Sequence, residues 1–183
     1  MIRRREIRYF EMPSPLGRLL AILSDRGVLE IAFEGTAERH LWRLGRRIES
    51  ELPPARVYGE PLEDDLKKYF RAEISFFRTP PDLGLCAPFA AKIFATLAAL
   101  PPGRLISYGE LAREAGKPRA ARAVGRIVGA NPLPILIPCH RVVAGDGTLG
   151  GYSGGLARKR MLLEIEGIRP PRGGWAPKSR GKA

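Results

Sequence analysis

The chain has 183 residues, of which 44% are hydrophobic and 27% are charged, and this balance excludes disorder for most of its length. No stretch approaches the roughly 18 apolar residues of a membrane span, and the basic N-terminus is not followed by the apolar segment of a secretory signal, so we expect a cytoplasmic protein without a membrane partner. The net charge of +12 favours a polyanionic partner, nucleic acid above all, and in a prokaryote it would associate the protein with the nucleoid.

The first third of the chain alternates strand-like runs with turns and then becomes helical. Runs at 7–12, 18–23 and 28–33 are separated by Ser-Pro-Leu-Gly and Ser-Asp-Arg-Gly, which predicts an antiparallel meander. Helical spacing of apolar residues follows at about 37–48 and again behind Pro61. We therefore predict an α+β domain over residues 1–82, closed by the proline-rich segment that follows Arg78.

The second part, 83–168, is richer in helix and is predicted to be a separate domain. One apolar helical face spans about 89–100, and a second helix begins at Ser107, where Ser-Tyr-Gly-Glu forms a capping box. Gly116 ends that helix, and a third runs from about 118 to 130. Two helices joined by a tight turn form a helix-turn-helix, which is a common nucleic-acid-binding unit without being a decisive one.

The third helix has three distinct faces. At 100° per residue, one face is apolar, one is basic and one is made of small residues. The apolar face consists of Ala120, Val124, Ile127 and Val128. The basic face consists of Arg119, Arg122 and Arg126, and the small-residue face consists of Ala121, Gly125 and Gly129. Glycine inside a helix costs about 0.5 to 1 kcal/mol relative to alanine, so the small face indicates close approach of another group. This small-residue face fits a bound ligand and a packed helix equally well.

The positive charge of the chain also has an alternative explanation. The chain has 24 arginines and 7 lysines, and such an excess of arginine is also found with genome bias or adaptation to heat.

Cys139 follows an apolar run, and its position suggests a nucleophile. The run 135–137 reads as a short strand, Pro138 breaks it, and Cys139 is then expected at a helix N-terminus, where the helix dipole and His140 favour a thiolate. A bridging water is more plausible than direct contact between the two adjacent side chains. The alternative is a cysteine that packs as a small buried hydrophobe, which is the role we assign to Cys86.

The histidines and cysteines do not have the spacing of a metal site. Neither Cys-x-x-Cys nor His-x-x-x-His occurs, and the two cysteines are expected to be reduced, so we predict no metal and no cofactor.

Downstream, residues Gly150 to Gly155 are predicted to form a flexible loop that could admit a planar ligand. If Cys139 does not lie nearby, the segment is more simply explained as an ordinary loop. Ser153 is expected to cap a helix over 156–166, and 169–183 reads as a basic flexible tail.

Taken together, four segments resemble the O6-alkylguanine-DNA alkyltransferase family. They are Leu-Ile-Ser-Tyr at 105–108, Ala-Ala-Arg-Ala-Val-Gly at 120–125, Asn-Pro-Leu-Pro-Ile-Leu-Ile-Pro-Cys-His-Arg-Val-Val at 131–143, and the glycine-rich loop at 150–155. The resemblance covers roughly 89–167. It implies a ribonuclease-H-like N-terminal α/β domain and a mostly helical, winged-helix-like C-terminal domain with a helix-turn-helix.

The resemblance also implies an activity: direct DNA repair in which each protein molecule reacts only once. Cys139 would take an alkyl group from O6 of guanine in double-stranded DNA after base flipping, and O4 of thymine is left open as a second target. His140 would accept the thiol proton through a water, Glu166 would orient the imidazole, and Tyr108 would donate to the leaving base. We expect a monomer.

The resemblance assigns two further groups of residues. Those expected to line the base pocket are Asn131, Pro134, Val142, Gly150, Tyr152 and Ser153. Those expected to contact the minor groove are Arg119, Ala121, Arg122, Gly125 and Arg126, with Arg122 filling the vacated base stack. Two rivals stay open: a non-catalytic DNA-binding relative, which would carry tryptophan in place of Cys139, and a cysteine hydrolase that turns over.

Overall fold

The computed structural model describes residues 6–47 and 54–169, which fall into two compact units. The first unit takes in the chain up to Cys86 together with Pro132–Leu136, and the second contains Ala87–Asn131 and the chain from Ile137 onward. The α+β class is confirmed, because both units contain helices as well as strands and the long strands of the first unit pair antiparallel. The ribonuclease-H-like and winged-helix-like assignments stay predictions, and the tail beyond residue 169 lies outside the described residues.

The first unit is built on the predicted meander. Strands β1 (Arg8–Ser14), β2 (Gly17–Ser24) and β3 (Gly27–Ala32) pair antiparallel, and a fourth strand, β4 (Ala55–Arg56), runs parallel to β1, which gives the order β3-β2-β1-β4. The three long strands lie within two residues of the predicted runs. β4 was not predicted, because two residues carry no periodicity.

Two helices accompany this sheet. α1 (Ala37–Gly45) begins at Thr36, whose side chain accepts a hydrogen bond from the backbone of Arg39, and α2 (Pro61–Phe70) begins at a proline, as predicted. α1 ends before the predicted residue 48, since 46 and 47 form a turn and 48 lies outside the described residues. Part of the core of this unit is a buried cluster of Ile7, Leu20, Ile22, Leu29 and Leu44.

The described part of the second unit contains four α-helices, one 3-10 turn and a two-stranded parallel pair. In chain order its elements are α3 (Pro88–Ala98), β5 (Ile106–Ser107), α4 (Tyr108–Glu114), α5 (Ala121–Gly129), a 3-10 turn (Cys139–Arg141), β6 (Val142–Val143) and α6 (Leu156–Ile165). β5 pairs with β6 so that Ser107 lies opposite Val143. Because α4 starts directly after β5 and the 3-10 turn ends directly before β6, this pairing brings the start of α4 beside the segment that carries Cys139.

The predicted capping box is confirmed. The Ser107 hydroxyl accepts a hydrogen bond from the Glu110 backbone at 3.2 Å, and the Glu110 carboxylate accepts one from the Ser107 backbone at 2.7 Å. α5 begins at Ala121 rather than near 118, because a turn closed by the bond from Ala120 N to Lys117 O at 2.9 Å precedes it.

Two local predictions are wrong. Residues 135–137 do not form a strand: they lie in a turn where Ile135 has a φ of 78°, and the Asn131 amide donates to the Ile137 carbonyl at 2.9 Å. The run is apolar because it is buried, and an apolar run alone does not distinguish a strand from a buried turn. Ser153 does not cap α6, whose N-cap residue is Gly155, with a φ of 87° and no side-chain hydrogen bond.

Within residues 6–47 and 54–169, no helix is both long enough and apolar enough to cross a bilayer.

Candidate active site

Cys139, His140 and Arg141 form a single buried 3-10 turn. Its backbone is closed by Arg141 N donating to Pro138 O at 2.9 Å, and Cys139 N donates to Ile137 O at 2.7 Å. Cys139 is the first residue of this turn, as predicted. The turn has only three residues, however, and so short a turn has little macrodipole with which to stabilise a thiolate.

His140 and Arg141 both bind the carboxylate of Glu166, the residue that ends α6. His140 Nε2 lies 2.8 Å from Glu166 Oε1, and Arg141 binds the same carboxylate through Nε at 2.7 Å and Nη2 at 2.9 Å. The free Nη1 of Arg141 donates to the carbonyl of Leu100 at 2.8 Å. All three side chains are at least 95% buried, so the interaction takes place at low effective dielectric constant.

Burial and pairing set the charge states of this group. Burial would raise the pKa of Glu166, but the hydrogen bonds from His140 and Arg141 outweigh it and lower that pKa to about 2. For His140 burial dominates and lowers the pKa, although Glu166 opposes the effect. At neutral pH the imidazole is therefore neutral and able to accept a proton. Its Nδ1 is buried and has no hydrogen-bond partner among the described residues.

The thiol of Cys139 is not activated by its own position. Burial raises its pKa, and the hydrogen bond from the Asn131 side chain and the positive charge of Lys159 oppose that effect only in part. The structure does not support the expectation that a helix dipole stabilises the thiolate. A thiol buried in this way needs a base and a nearby positive charge in order to ionise.

Two phenols lie within electrostatic reach of the sulfur. Burial raises the pKa of Tyr108, which accepts a hydrogen bond from the Gly151 backbone and is also influenced by Cys139. Burial also raises the pKa of Tyr152, whose buried hydroxyl interacts with the Cys139 thiol. Both hydroxyls therefore stay protonated at neutral pH and can act as donors.

The glycine-rich loop closes on the ring of Tyr108. Gly150 has a φ of +69°, and a Cβ built there would lie 3.3 Å from Tyr108 Cε2, so this position needs glycine both for its backbone and for space. Val142 is buried, Asn131 is partly buried and Ser153 is exposed. Pro134 belongs to the segment 132–136 that groups with the first unit, and its place in the pocket stays a prediction.

The faces predicted for α5 agree with the burial of its residues. Val124 and Val128 are buried, whereas Arg122 and Arg126 are exposed, as is Arg119 just before the helix. Along the small-residue face, a Cβ at Gly125 would lie 3.7 Å from the ring of Tyr108, and one at Gly129 would meet open space. Part of the small face is therefore turned toward a residue of the candidate site.

Sequence reasoning missed two charged residues of the site. Arg141 lies within the motif around Cys139 without a role of its own in the sequence-based prediction, and Lys159 has no predicted role. Lys159 is fully buried, and its position three and four residues before the buried Leu162 and Leu163 would have placed it on the inner face of α6.

In the part of the chain that the structure describes, no group of three or more His, Cys, Asp or Glu side chains could hold a metal ion. The candidate site itself contains a buried thiol, a neutral imidazole held by a carboxylate, two phenols and two buried cations.

Comparison with known proteins gives consistent results. Residues 88–168 match the family model of the 6-O-methylguanine DNA methyltransferase DNA-binding domain. A methylated-DNA–protein-cysteine methyltransferase of Shigella flexneri is 37% identical over 160 residues, which cover 86% of this chain and 94% of that protein. The crystal structure of Mycobacterium tuberculosis O6-methylguanine methyltransferase superposes with a TM-score of 0.74 at 35% identity, covering 90% of this chain and 95% of that one. The structure of Mycobacterium tuberculosis OGT in complex with DNA gives 0.73 at 34% identity, covering 87% and 92%.

Proposed function

The chain belongs to the methylated-DNA–protein-cysteine methyltransferase family, and from that premise we propose that it repairs DNA by a single transfer of an alkyl group from O6 of guanine to its own Cys139. The observation that carries the assignment to this residue is the buried turn in which Cys139 precedes His140, whose Nε2 is bound to Glu166 at 2.8 Å. A cysteine that served only for packing would not need a histidine–carboxylate pair beside it.

The proposed step is an in-line displacement at the alkyl carbon. The Cys139 sulfur forms a bond to that carbon while the bond from carbon to O6 breaks, and the bonding electron pair leaves with the guanine. The thiol proton passes through a water to Nδ1 of His140, the buried nitrogen that has no hydrogen-bond partner among the described residues. Glu166 stabilises the resulting imidazolium, and the thioether is not reversed, so each molecule reacts once.

Tyr108 is proposed to assist the leaving group. Its hydroxyl is protonated at neutral pH because burial raises its pKa, and it lies within electrostatic reach of Cys139. A hydrogen bond from this hydroxyl to the guanine ring would gain strength as negative charge moves onto the base. Asn131, Val142, Gly150, Tyr152 and Ser153 are proposed to bind the base, with Pro134 as an apolar wall.

Reaction in a duplex requires the base to leave the stack. We propose that α5 enters the minor groove with its small-residue face, that Arg122 fills the vacated position, and that Arg119 and Arg126 contact phosphates. Exposure of all three arginines beside the buried Val124 supports this orientation. The proposed substrate is double-stranded DNA carrying O6-alkylguanine, with O4-alkylthymine as a second target, and the proposed working form is a cytoplasmic monomer.

The test is a mass measurement on the Cys139 peptide after incubation with a duplex that contains O6-methylguanine. We expect the peptide to gain one methyl group, with one equivalent of guanine restored per protein molecule. Absence of the methyl group would overturn the transfer, and many equivalents per molecule would indicate a hydrolase instead.

The matched controls use the two cysteines of the chain. Cys139→Ala should abolish transfer while DNA affinity stays near that of the wild type, because the thiol contributes nothing to phosphate contacts. Cys86→Ser should retain transfer, because Cys86 lies in the first unit and is half-buried without a neighbouring base. Loss of both transfer and DNA binding in Cys139→Ala would mean that the cysteine is structural.

A further inference from the structure

Helix α1, in the first unit, has one face made only of arginine and tryptophan. At 100° per residue, four side chains of α1 and its C-cap fall within about 100° of one another around the helix axis. All four are exposed, and they are Arg39, Trp42, Arg43 and Arg46. On the other side, Leu44 is buried in the core cluster and Leu41 packs against it. The arginine–tryptophan face is therefore turned to solvent, and the proposed mechanism does not use it.

Two arginines of this face have no carboxylate partner among the described residues. Arg39 forms neither an ion pair nor a side-chain hydrogen bond there. The guanidinium of Arg46 lies over the ring of Trp42, 5.3 Å from its centre, and Trp42 itself is 67% exposed. A cation over an indole face keeps its charge, so both arginines can still bind an anion from outside the molecule.

The acids near the face do not cancel these two charges. Glu30 is bound by Arg43 and lies 2.7 Å from Nδ1 of His40, so its charge is already matched within the first unit. Glu38 is placed about 100° from Arg39 around the helix axis, outside the face. The face therefore has an excess of positive charge.

A cavity of about 380 Å³ adjoins the face. Its lining residues are Glu34, Gly35, Arg39, His40, Trp42 and Arg43. Guanidinium donors and an indole ring thus line one space, which suits a ligand with both an anionic and an apolar part. Because Glu34 adds an acid to this lining, a ligand that also reaches Arg46 fits better than a small anion held in the cavity alone.

The spacing of the cations favours an extended polyanion. Arg39 and Arg46 are seven residues apart, which places them about 10.5 Å apart along the helix axis. Guanidinium groups are common ligands of DNA phosphates, and an aromatic ring between them can pack against the sugar. An anionic lipid surface fits less well, because Trp42 is the one apolar side chain of the face and the leucines of α1 pack in the core.

We propose that the arginine–tryptophan face of α1 is a second DNA-binding surface, which contacts the sugar–phosphate backbone of double-stranded DNA away from the alkylated base. Arg39 and Arg46 bind phosphates, and Trp42 packs against the sugar between them. The contact needs neither an alkylated base nor the Cys139 thiol, so it goes beyond the proposed alkyl transfer. It gives α1 a share of the affinity for DNA.

The deciding experiment follows the fluorescence of Trp42. The chain has two tryptophans, so Trp175→Phe leaves Trp42 as the one indole of the full-length protein. We expect an undamaged duplex to change the emission of Trp42 until it saturates, and Arg46→Ala to shift the midpoint to at least about three-fold higher DNA concentration. Unchanged emission would overturn the proposal, as would a response to phosphatidylglycerol vesicles without a response to DNA.

The affinity for the same undamaged duplex shows whether the charges of this face matter more than charge elsewhere. By fluorescence anisotropy, Arg39→Ala and Arg46→Ala should each weaken binding and make its salt dependence shallower by about one phosphate contact. Arg26→Ala is the matched control, because Arg26 is an exposed arginine of the same unit in the turn between β2 and β3, and it should change neither quantity. Equal losses in all three variants would indicate a general effect of net charge and would refute the surface.

Two further arms show which duplex α1 contacts. If α1 and α5 bind one duplex, the effect of Arg46→Ala should disappear when the duplex is shortened. If α1 binds a second duplex, the native protein should bring two differently labelled duplexes together, as measured by energy transfer, and Arg46→Ala should not. Failure of both arms would overturn the proposal. None of these measurements uses alkylated DNA, so their failure is distinguishable from failure of alkyl transfer.

Discussion

At the scale of single residues, the site depends on buried charges that satisfy one another. The Glu166 carboxylate is bound by two side chains, so neither of its oxygens is left without a partner. Removing one member of such a group leaves the others buried and unpaired, which costs about 3 to 5 kcal/mol. The arrangement therefore favours one orientation of His140 more than it adds net stability.

The pH dependence of stability follows from the lowered pKa of Glu166. A carboxyl group whose pKa falls from 4.5 when unfolded to about 2 when folded stabilises the protein fully above pH 4.5, and this contribution is lost as the pH falls toward 2. We expect the difference in free energy of unfolding between wild type and Glu166→Gln, on the order of 3 kcal/mol at pH 7, to shrink between pH 4.5 and 3. Urea unfolding at several pH values measures it, and a constant difference would contradict the assignment.

Arg122 is expected to matter for duplex DNA and not for the free base. Arg122 is exposed in the first turn of α5, so its side chain can enter a base stack. It has no proposed role in activating the Cys139 thiol. In Arg122→Ala, transfer from a duplex should fall by at least about ten-fold, because nothing then offsets the few kcal/mol that unstacking the base costs. The rate with O6-benzylguanine, which needs no unstacking, should change less than about two-fold. Arg113→Ala, an exposed cation of α4, serves as the control. Equal losses on both substrates would refute the stacking role.

At the scale of elements, α5 combines a stable inner face with a small-residue face that weakens the helix. Val124 and Val128 anchor it, and Gly125 leaves room beside the ring of Tyr108. Glycine in a helix interior lowers stability, so its presence is most readily explained by a function that needs the space.

This explanation predicts that stability and DNA affinity change in opposite directions in Gly125→Ala. The added Cβ would lie 3.7 Å from Tyr108, an ordinary contact, so the helix should gain about 0.5 to 1 kcal/mol in free energy of unfolding. A methyl group on a face that enters the minor groove should weaken duplex binding several-fold, as measured by fluorescence anisotropy. Gly45→Ala in α1, where a Cβ meets nothing within 4 Å, is the control for a stability gain alone. Unchanged affinity in Gly125→Ala would contradict minor-groove entry by this face.

At the scale of the whole molecule, the net charge of +12 has two explanations: binding to DNA, or a composition shaped by genome bias or heat. The three exposed arginines on and before α5 are the part of that charge that the structure places on one surface of the second unit. Charge that serves DNA binding has a measurable consequence, because each phosphate contact releases a counterion.

Salt dependence distinguishes the two explanations. The two proposed phosphate contacts of the second unit, from Arg119 and Arg126, by themselves predict that the logarithm of the association constant falls with the logarithm of the salt concentration with a slope of about −2, which is a loss of about 12-fold between 50 and 200 mM. Arg126→Ala should reduce the slope by about 1. A wild-type slope near zero would leave composition alone as the explanation of the charge, and an unchanged slope in Arg126→Ala would remove that residue from the phosphate contacts.

Local patterns in the sequence were sufficient for much of the fold. The three long strands, the start of α2, the capping box at Ser107 and the buried face of α5 were all predicted correctly, because strand alternation, helix periodicity and capping depend on neighbours along the chain. The motifs around Cys139 also pointed to the family. The sequence by itself therefore determined the α+β class and which cysteine to test.

The tertiary structure decided what the site residues meet. The turn at Ile135 replaced a predicted strand, and burial raised the pKa of a thiol that the sequence suggested was activated. Arg141 became the second partner of Glu166, and Lys159 became a buried cation held by two carbonyls. These properties depend on residues that are distant in the chain. A charged group loses its water, and gains the polar groups that replace that water, only when separate segments of the chain pack together.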